Sequence, residues 1–173
     1  TGIRDGGMAS HGATLGIFLG IWIFCKRNHL PFIWGLDRIA IVAPLSGAII
    51  RLGNLFNSEI VGLPTDAAWG FKFPLCAEDR AIEALADVPA RHPAQLYEAL
   101  CYVLVSAFIL WLYYRKDLGR RRPGMLFGVA MIGIFLSRFF IEFCKERQVA
   151  FEDFLPLDMG QLLSIPFIIL GVV

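Results

Sequence analysis

Histidine and cysteine are scarce in this chain of 173 residues, three of one and four of the other, and neither is arranged for metal or redox chemistry. Cys25, Cys76, Cys101 and Cys144 form no Cys-x-x-Cys pair, and no histidines lie at zinc-ligand spacing, so neither a zinc site nor a disulfide framework organises the fold. Most of the cysteines are expected to be small apolar packing residues. Charge is sparse too: charged residues make up 18% of the chain and the formal net charge is +1, which argues against nucleic acid as a partner. Also missing are a Gly-x-Ser-x-Gly elbow, a Ser/His/Asp arrangement, an Asp-rich metal motif and a P-loop. No cofactor or metal is implied, and the chain offers no evident covalent nucleophile. There is no initiator Met before Thr1 and no signal-peptide pattern, and the sequence stops at Val173 inside an apolar run. A piece of a longer protein is therefore expected.

What the chain has in quantity is apolar surface. Hydrophobic residues make up 57%, aromatics 13%, and the mean hydropathy is +0.62. That composition predicts an all-α integral membrane protein, a polytopic helical bundle. Five segments approach the ~20 residues a spanning helix needs: about Ser10–Cys25, Phe32–Ile50, Ala94–Tyr114, Gly124–Cys144 and Met159–Val173. Two connections are basic, one with Lys26, Arg27 and Arg38, the other with Arg115, Lys116, Arg120, Arg121 and Arg122. The positive-inside rule makes both cytoplasmic. The other connections, 51–98 and 144–158, hold six Lys or Arg over a much longer length and are acidic overall, so they face outward. This parity is consistent across all five spans. Residues 63–90 mix Pro, Gly, Trp69, Phe71 and Phe73 with a weakly helical acidic patch, 78–87, as expected of an outer lid or arm with aromatics at headgroup level.

Nearly every unusual polar residue falls toward the outer side. Arg51-Leu-Gly-Asn54-Leu-Phe-Asn57-Ser58-Glu59-Ile-Val-Gly62 follows the apolar run 39–50, where polar side chains are costly unless they have partners or a task. If the helix continues, Arg51, Asn54 and Ser58 share one face, with Asn57 and Glu59 beside it. His11 sits near the outer end of the first span, whose Gly12, Gly16 and Gly20 form a small-xxx-small face for close helix approach. In Arg91-His92-Pro93-Ala94-Gln95-Leu96-Tyr97-Glu98, Pro93 suits a first helical turn and His92 a cap, and Gln95, Glu98 and Tyr102 share a face. Gln95 and Glu98 are expected to hydrogen-bond between helices. Arg138 and Glu142, four apart, can form an internal ion pair, and Gln161 and Ser164 share a face of the last segment. His29 reads as solvated, Asp37 and Arg38 as a surface pair, and Pro44, Ser46, Gly47 and Ala48 as a bendable, closely packed stretch.

Two arginines at one depth repel, and an anion between them relieves the repulsion while accepting forked hydrogen bonds. A pocket with Arg51, Arg138, amides and a histidine fits a phosphate-bearing lipid headgroup. With no nucleophile in the chain, the attacking group has to come from a second substrate, which points to group transfer between two bound substrates. The alternatives are a membrane transporter or binding protein for an anionic phospholipid, and a structural subunit whose polar residues only join helices.

His11-Gly12 after Gly6-Gly7, the Arg51–Gly62 block, Arg91–Glu98, Arg138-Phe-Phe-Ile-Glu142-Phe and Gly160-Gln161-Leu-Leu-Ser164-Ile-Pro166 resemble, in order, the successive motifs of bacterial prolipoprotein diacylglyceryl transferases. The resemblance spans almost the whole chain and implies one transmembrane catalytic domain over residues 1–173, preceded in the family by further N-terminal helices. It implies transfer of the diacylglyceryl group from phosphatidylglycerol to the lipobox cysteine of a preprolipoprotein signal peptide, releasing glycerol 1-phosphate. It also implies the bacterial inner membrane as location, with membrane lipids around the chain and the site toward the periplasmic face. On this resemblance His11, Arg51 and Arg138 are catalytic candidates, and Asn54, Asn57, Glu59, Gly62, Gln95, Tyr97, Glu142 and Gln161 bind substrate. Two stretches depart from the family: Ile134 stands where a tyrosine is usual, so either the hydroxyl comes from elsewhere, Tyr97 being a candidate, or its role is not general, and residues 143–147 read Phe-Cys-Lys-Glu-Arg in place of an aromatic-Arg-acid-Pro pattern.

Overall fold

The computed structural model describes residues 10–76, 79, 82, 86–145 and 159–172, without the side chains of residues 10, 11, 13, 118, 159, 160, 162 and 163. Its helices are α1 (Ser10–Arg27), α2 (Phe32–Phe56), α3 (Ala94–Lys116), α4 (Leu118–Arg121), α5 (Met125–Glu142) and α6 (Met159–Val172). Two short strands, β1 (Phe71–Lys72) and β2 (Ala90–Arg91), pair antiparallel between α2 and α3. Among the described residues three helices, α2, α3 and α5, are long and apolar enough to cross a membrane. They carry large outward-facing apolar side chains such as Ile49, Ile50, Leu104 and Phe140, which a bilayer tolerates and water does not.

The three long helices meet in a narrow seam. Ala40 of α2, Ile109 and Leu112 of α3, and Leu126 and Ala130 of α5 form one buried layer, and Ala48, Ala99 and Tyr102 form another. Small residues set the closest approaches. A Cβ added at Gly128 of α5 would meet the carbonyl of Gly171 in α6 at 2.5 Å, and one at Gly133 would meet Val105 of α3 at 2.7 Å. Among the described residues, an added Cβ at Gly12, Gly16 or Gly20 of α1 meets nothing within 4 Å. Gly35 of α2 makes the approach instead, against Ile21 and Cys25, and Cys25 is buried there as a packing residue.

Asp37 is not half of a surface pair. It is 2% exposed, and its carboxylate accepts from the N–H groups of Gly124 (2.8 Å) and Phe127 (2.9 Å) at the start of α5. The first N–H groups of a helix lack internal partners, and the N-cap Gly124, at φ 90°, has no side chain to serve them. A carboxylate from α2 does so. Arg38 lies over the rings of Trp34 and Tyr113, at 5.0 and 4.8 Å from their centroids, as a cation on aromatic faces.

In the 63–90 segment Trp69 and Phe71 are exposed, but Phe73 is buried with Val61 and Cys76 and anchors the segment to the end of α2 through Leu55. Its expected place at headgroup level is thus taken by packing. Of the acidic patch, Asp79, Ile82, Ala86 and Asp87 are described and none is helical; the others lie outside the described residues. Arg91 grips Asp79 with Nε at 2.8 Å and Nη2 at 3.1 Å, and the Cys76 thiol lies 3.0 Å from the same carboxylate.

Candidate functional site

α2 runs past Ile50 to Phe56, so Arg51 and Asn54 stand on its last turns. Asn57 closes the helix with its backbone N–H directed to Gly53 and Leu55, and is itself exposed. Ser58 and Ile60 follow at φ 56° and 55°, a left-handed conformation that is an outlier for a β-branched residue. This turn takes Ser58 off the face of Arg51 and Asn54 and folds Glu59 back onto the helix. Asn54 Nδ2 donates to Glu59 Oε2 at 2.8 Å, and Gln95 Nε2 of α3 donates to the Glu59 carbonyl at 2.6 Å. Gly62 then passes between two backbones: its N–H donates to His92 O, and a Cβ there would collide with the carbonyls of His92 and Cys144. Only glycine fits this crossing.

Glu98 is fully buried, four residues into α3 from Ala94, and carries a chain of charges. Arg51 Nε lies against its Oε2 as an ion pair without aligned hydrogen-bond geometry. Lys145 Nζ donates to its Oε1 at 2.8 Å and reaches Glu142 Oε2 at 3.2 Å. Two cations and two carboxylates therefore balance one another, as buried charges require. Among the described residues Glu142 pairs with Lys145 and not with Arg138. That leaves Arg138, one turn earlier on α5, with its Nε buried and without a hydrogen-bond partner. Tyr102 is buried one turn after Glu98 on α3.

The remaining expected site residues fall elsewhere. Tyr97 accepts from Trp69 Nε1 at 2.9 Å and lies 3.3 Å from His92 Nδ1, so its hydroxyl serves the 63–90 segment. Pro93, not His92, occupies the N-cap of α3. Gln161 and Ser164 are buried on one face of α6, Gln161 donating to Phe139 O at 3.3 Å. His11 lies in the first turn of α1, and its side chain is outside the described residues. Lys145 escaped the sequence reading, although its place three residues after Glu142 was a signal. A cavity of about 850 Å³ lies away from this cluster, among Ile33, Arg122, Gly124 and Leu170.

Hydrogen bonds from Arg91 hold the Asp79 carboxyl below the usual carboxylate range, against the opposing effect of burial. Among the described residues no group of three or more His, Cys, Asp or Glu could hold a metal ion. Among the described residues the buried side-chain polar atoms without hydrogen-bond partners are a donor, Arg138 Nε, and three acceptors, Asn54 Oδ1, Gln95 Oε1 and Glu98 Oε2. Such groups are costly unless a ligand satisfies them. A ligand bearing both anionic oxygens and hydroxyl groups has the matching chemistry.

A family model described as "Prolipoprotein diacylglyceryl transferase" matches residues 1–173. The chain is 46% identical over 173 residues to the phosphatidylglycerol–prolipoprotein diacylglyceryl transferase of Porphyromonas gingivalis, covering 97% of this chain and 61% of that protein. Proteins of the same name from Bacteroides fragilis and Chloroherpeton thalassium are each 44% identical, with 96% and 98% of this chain covered. The chain spans 56% and 60% of the length of these two.

Proposed function

The chain belongs to the prolipoprotein diacylglyceryl transferase family, and from that premise we propose that the protein moves the diacylglyceryl group of phosphatidylglycerol onto the lipobox cysteine of a preprolipoprotein, releasing glycerol 1-phosphate. The observation that carries this reading into the site is the buried Arg138 Nε, without a hydrogen-bond partner among the described residues, at the same end of the helices as an Arg51 balanced by Glu98. A bound phosphate ester supplies the missing anion.

In the reaction the peptide thiolate attacks the glyceryl carbon, a C–S bond forms, and the C–O bond to phosphate breaks with its electron pair on the leaving oxygen. Charge grows on that phosphate as it departs. Arg138 meets it directly, while Arg51, held by Glu98, provides the opposite wall of the anion site. Preorganised cations are most effective where charge develops in a dry site. Asn54, Glu59, Gln95 and Gly62 shape the headgroup end, and Glu142 acts by holding Lys145 on Glu98. Asn57 is exposed at the end of α2, Tyr97 holds Trp69, and Gln161 is buried against the Phe139 carbonyl next to Arg138. His11 is the candidate to take the thiol proton or orient the headgroup.

The same reading makes the chain a single domain with five spans in the bacterial inner membrane. Its basic turns after α1 and α3 face the cytoplasm, the site faces the periplasm, and residues 63–90 cover it as an arm. The positive-inside pattern supports this orientation. Phosphatidylglycerol consumption by the purified protein, with and without a lipobox peptide, tests it. Loss of the lipid only when peptide is present is expected, whereas movement of intact lipid with no consumption would make the protein a transporter.

A further inference from the structure

The Asp37–Arg38 pair expected at the basic end of α2 is separated in the structure, with a consequence for the cation. Asp37 serves the N–H groups of Gly124 and Phe127, and Arg38 is left half-buried over the rings of Trp34 and Tyr113. Among the described residues no carboxylate pairs with Arg38, nor with the exposed Arg120 and Arg122. Asp117 belongs to the same turn, but it is its carbonyl that accepts, from the N–H groups of Arg120 and Arg121. The three cations line two cavities. One, of about 370 Å³, has Arg38 and Arg120 in its wall. The other, of about 850 Å³, has Arg122 together with apolar Phe18 of α1, Leu36 of α2, Ile132 of α5 and Leu170 of α6. Ile33 and Pro123 line both.

Both volumes fall within the ~300–1,000 Å³ of pockets that hold small organic ligands. Guanidinium groups without a counter-ion suit phosphate oxygens, which accept their forked hydrogen bonds. Basic pockets between membrane helices on the cytoplasmic side suit anionic headgroups in particular. We propose that the two cavities form one binding site for an anionic phospholipid of the cytoplasmic leaflet. Its phosphate lies at Arg38, Arg120 and Arg122, and an acyl chain passes Ile33 and Pro123 to reach Leu170. A soluble phosphate compound would engage the arginines and leave the apolar cavity unused, so charge and apolar surface together select the lipid. The site is separate from the proposed transfer site: Arg38 and Arg51 are 13 positions apart on α2, which at 1.5 Å per residue is ~20 Å. The inference rests on these helices spanning a bilayer with this end on the cytoplasmic side, and not on the transfer reaction.

Native mass spectrometry of the purified protein in neutral detergent micelles tests this, with phosphatidic acid as the probe and zwitterionic phosphatidylcholine as the control. Wild type is expected to retain phosphatidic acid about tenfold better than phosphatidylcholine, and Arg138→Gln, altered at the opposite end, should do the same. Arg122→Gln is expected to weaken retention about fivefold, and the triple change Arg38→Gln, Arg120→Gln, Arg122→Gln to reduce it to the phosphatidylcholine level. Leu170→Trp narrows the apolar cavity without altering a charge and should weaken retention too. Wild-type retention in the triple variant overturns the proposal. If that variant cannot be purified folded, wild-type retention in both Arg122→Gln and Leu170→Trp overturns it, since both residues are exposed and outside the buried seam. Displacement of the lipid by inorganic phosphate at matched ionic strength would make this a site for free phosphate and overturn the lipid assignment. Loss of phosphatidic acid in Arg138→Gln alone would put the lipid at the other end and overturn it as well. Each of these results leaves the transfer reading as it stands, because none measures the peptide product.

Discussion

Arg51 and Arg138 are held differently, so their loss should look different. Arg138 Nε has no hydrogen-bond partner, whereas Arg51 is one of two cations on the fully buried Glu98. Replacing either by Ala is expected to slow transfer by about 100- to 1,000-fold, the usual effect of removing a contact to developing charge. Arg138→Ala should leave the thermal midpoint near that of wild type, while Arg51→Ala should lower it, because a buried carboxylate loses a counter-ion. A near-normal rate in either variant removes that arginine from the mechanism. Gly62→Ala belongs to another class: its Cβ meets two backbone carbonyls, so loss of folded protein is expected, read as loss of membrane-inserted yield. His29, solvent-exposed at φ 54° just beyond α1, should tolerate Ala silently. At this scale the polar residues of the site were visible in the sequence as costs within apolar runs. Their partners were not. Glu98 with Arg51 is a contact 47 positions apart, and Lys145 takes the partner that spacing alone assigns to Arg138.

Among the elements, the connection that fixes α5 is the least local. Asp37 on α2 caps a helix that begins 87 positions later, and nothing in the spacing of Asp37 and Arg38 announces it. Asp37→Ala should destabilise the bundle by about 1–2 kcal/mol, as loss of a helix cap does, measured as a lower unfolding midpoint in detergent. The helices themselves were legible because run length and hydropathy determine them. The end of α2 was less so, for it extends to Phe56, where Asn54 donates to the Glu59 carboxylate and Gln95 to the Glu59 carbonyl. Phe73 was misplaced because aromatic composition cannot distinguish a headgroup anchor from a core residue.

The 63–90 segment has its own pH dependence. Asp79 binds its proton less tightly when paired with Arg91 than in the unfolded chain. Its contribution is therefore complete above the ordinary carboxylate range and disappears as pH falls through the lowered native value. Hydrogen-exchange protection at the β1–β2 amides should hold from about pH 7 to about pH 5 and fall only in stronger acid; loss near neutrality would show that another group controls the arm.

For the described residues, one end of the bundle gathers the balanced Arg51–Glu98–Lys145–Glu142 chain and Arg138, whose Nε has no hydrogen-bond partner there, while the other presents the basic turns after α1 and α3. The apolar seam between them aligns the helices and the polar end gives them a task. That division was readable from composition and charge parity, since both follow from the cost of placing charge in a bilayer. The packing that brings α2, α3 and α5 together at Glu98 was not, because it depends on contacts between distant small residues. The most direct test of the account is the mass of a lipobox peptide after incubation with the purified protein and phosphatidylglycerol. A diacylglyceryl group added at the cysteine, with stoichiometric glycerol phosphate, is the expected result. An unmodified peptide, from protein shown to be folded and to bind the lipid, would contradict it and leave the two arginines as a binding site alone.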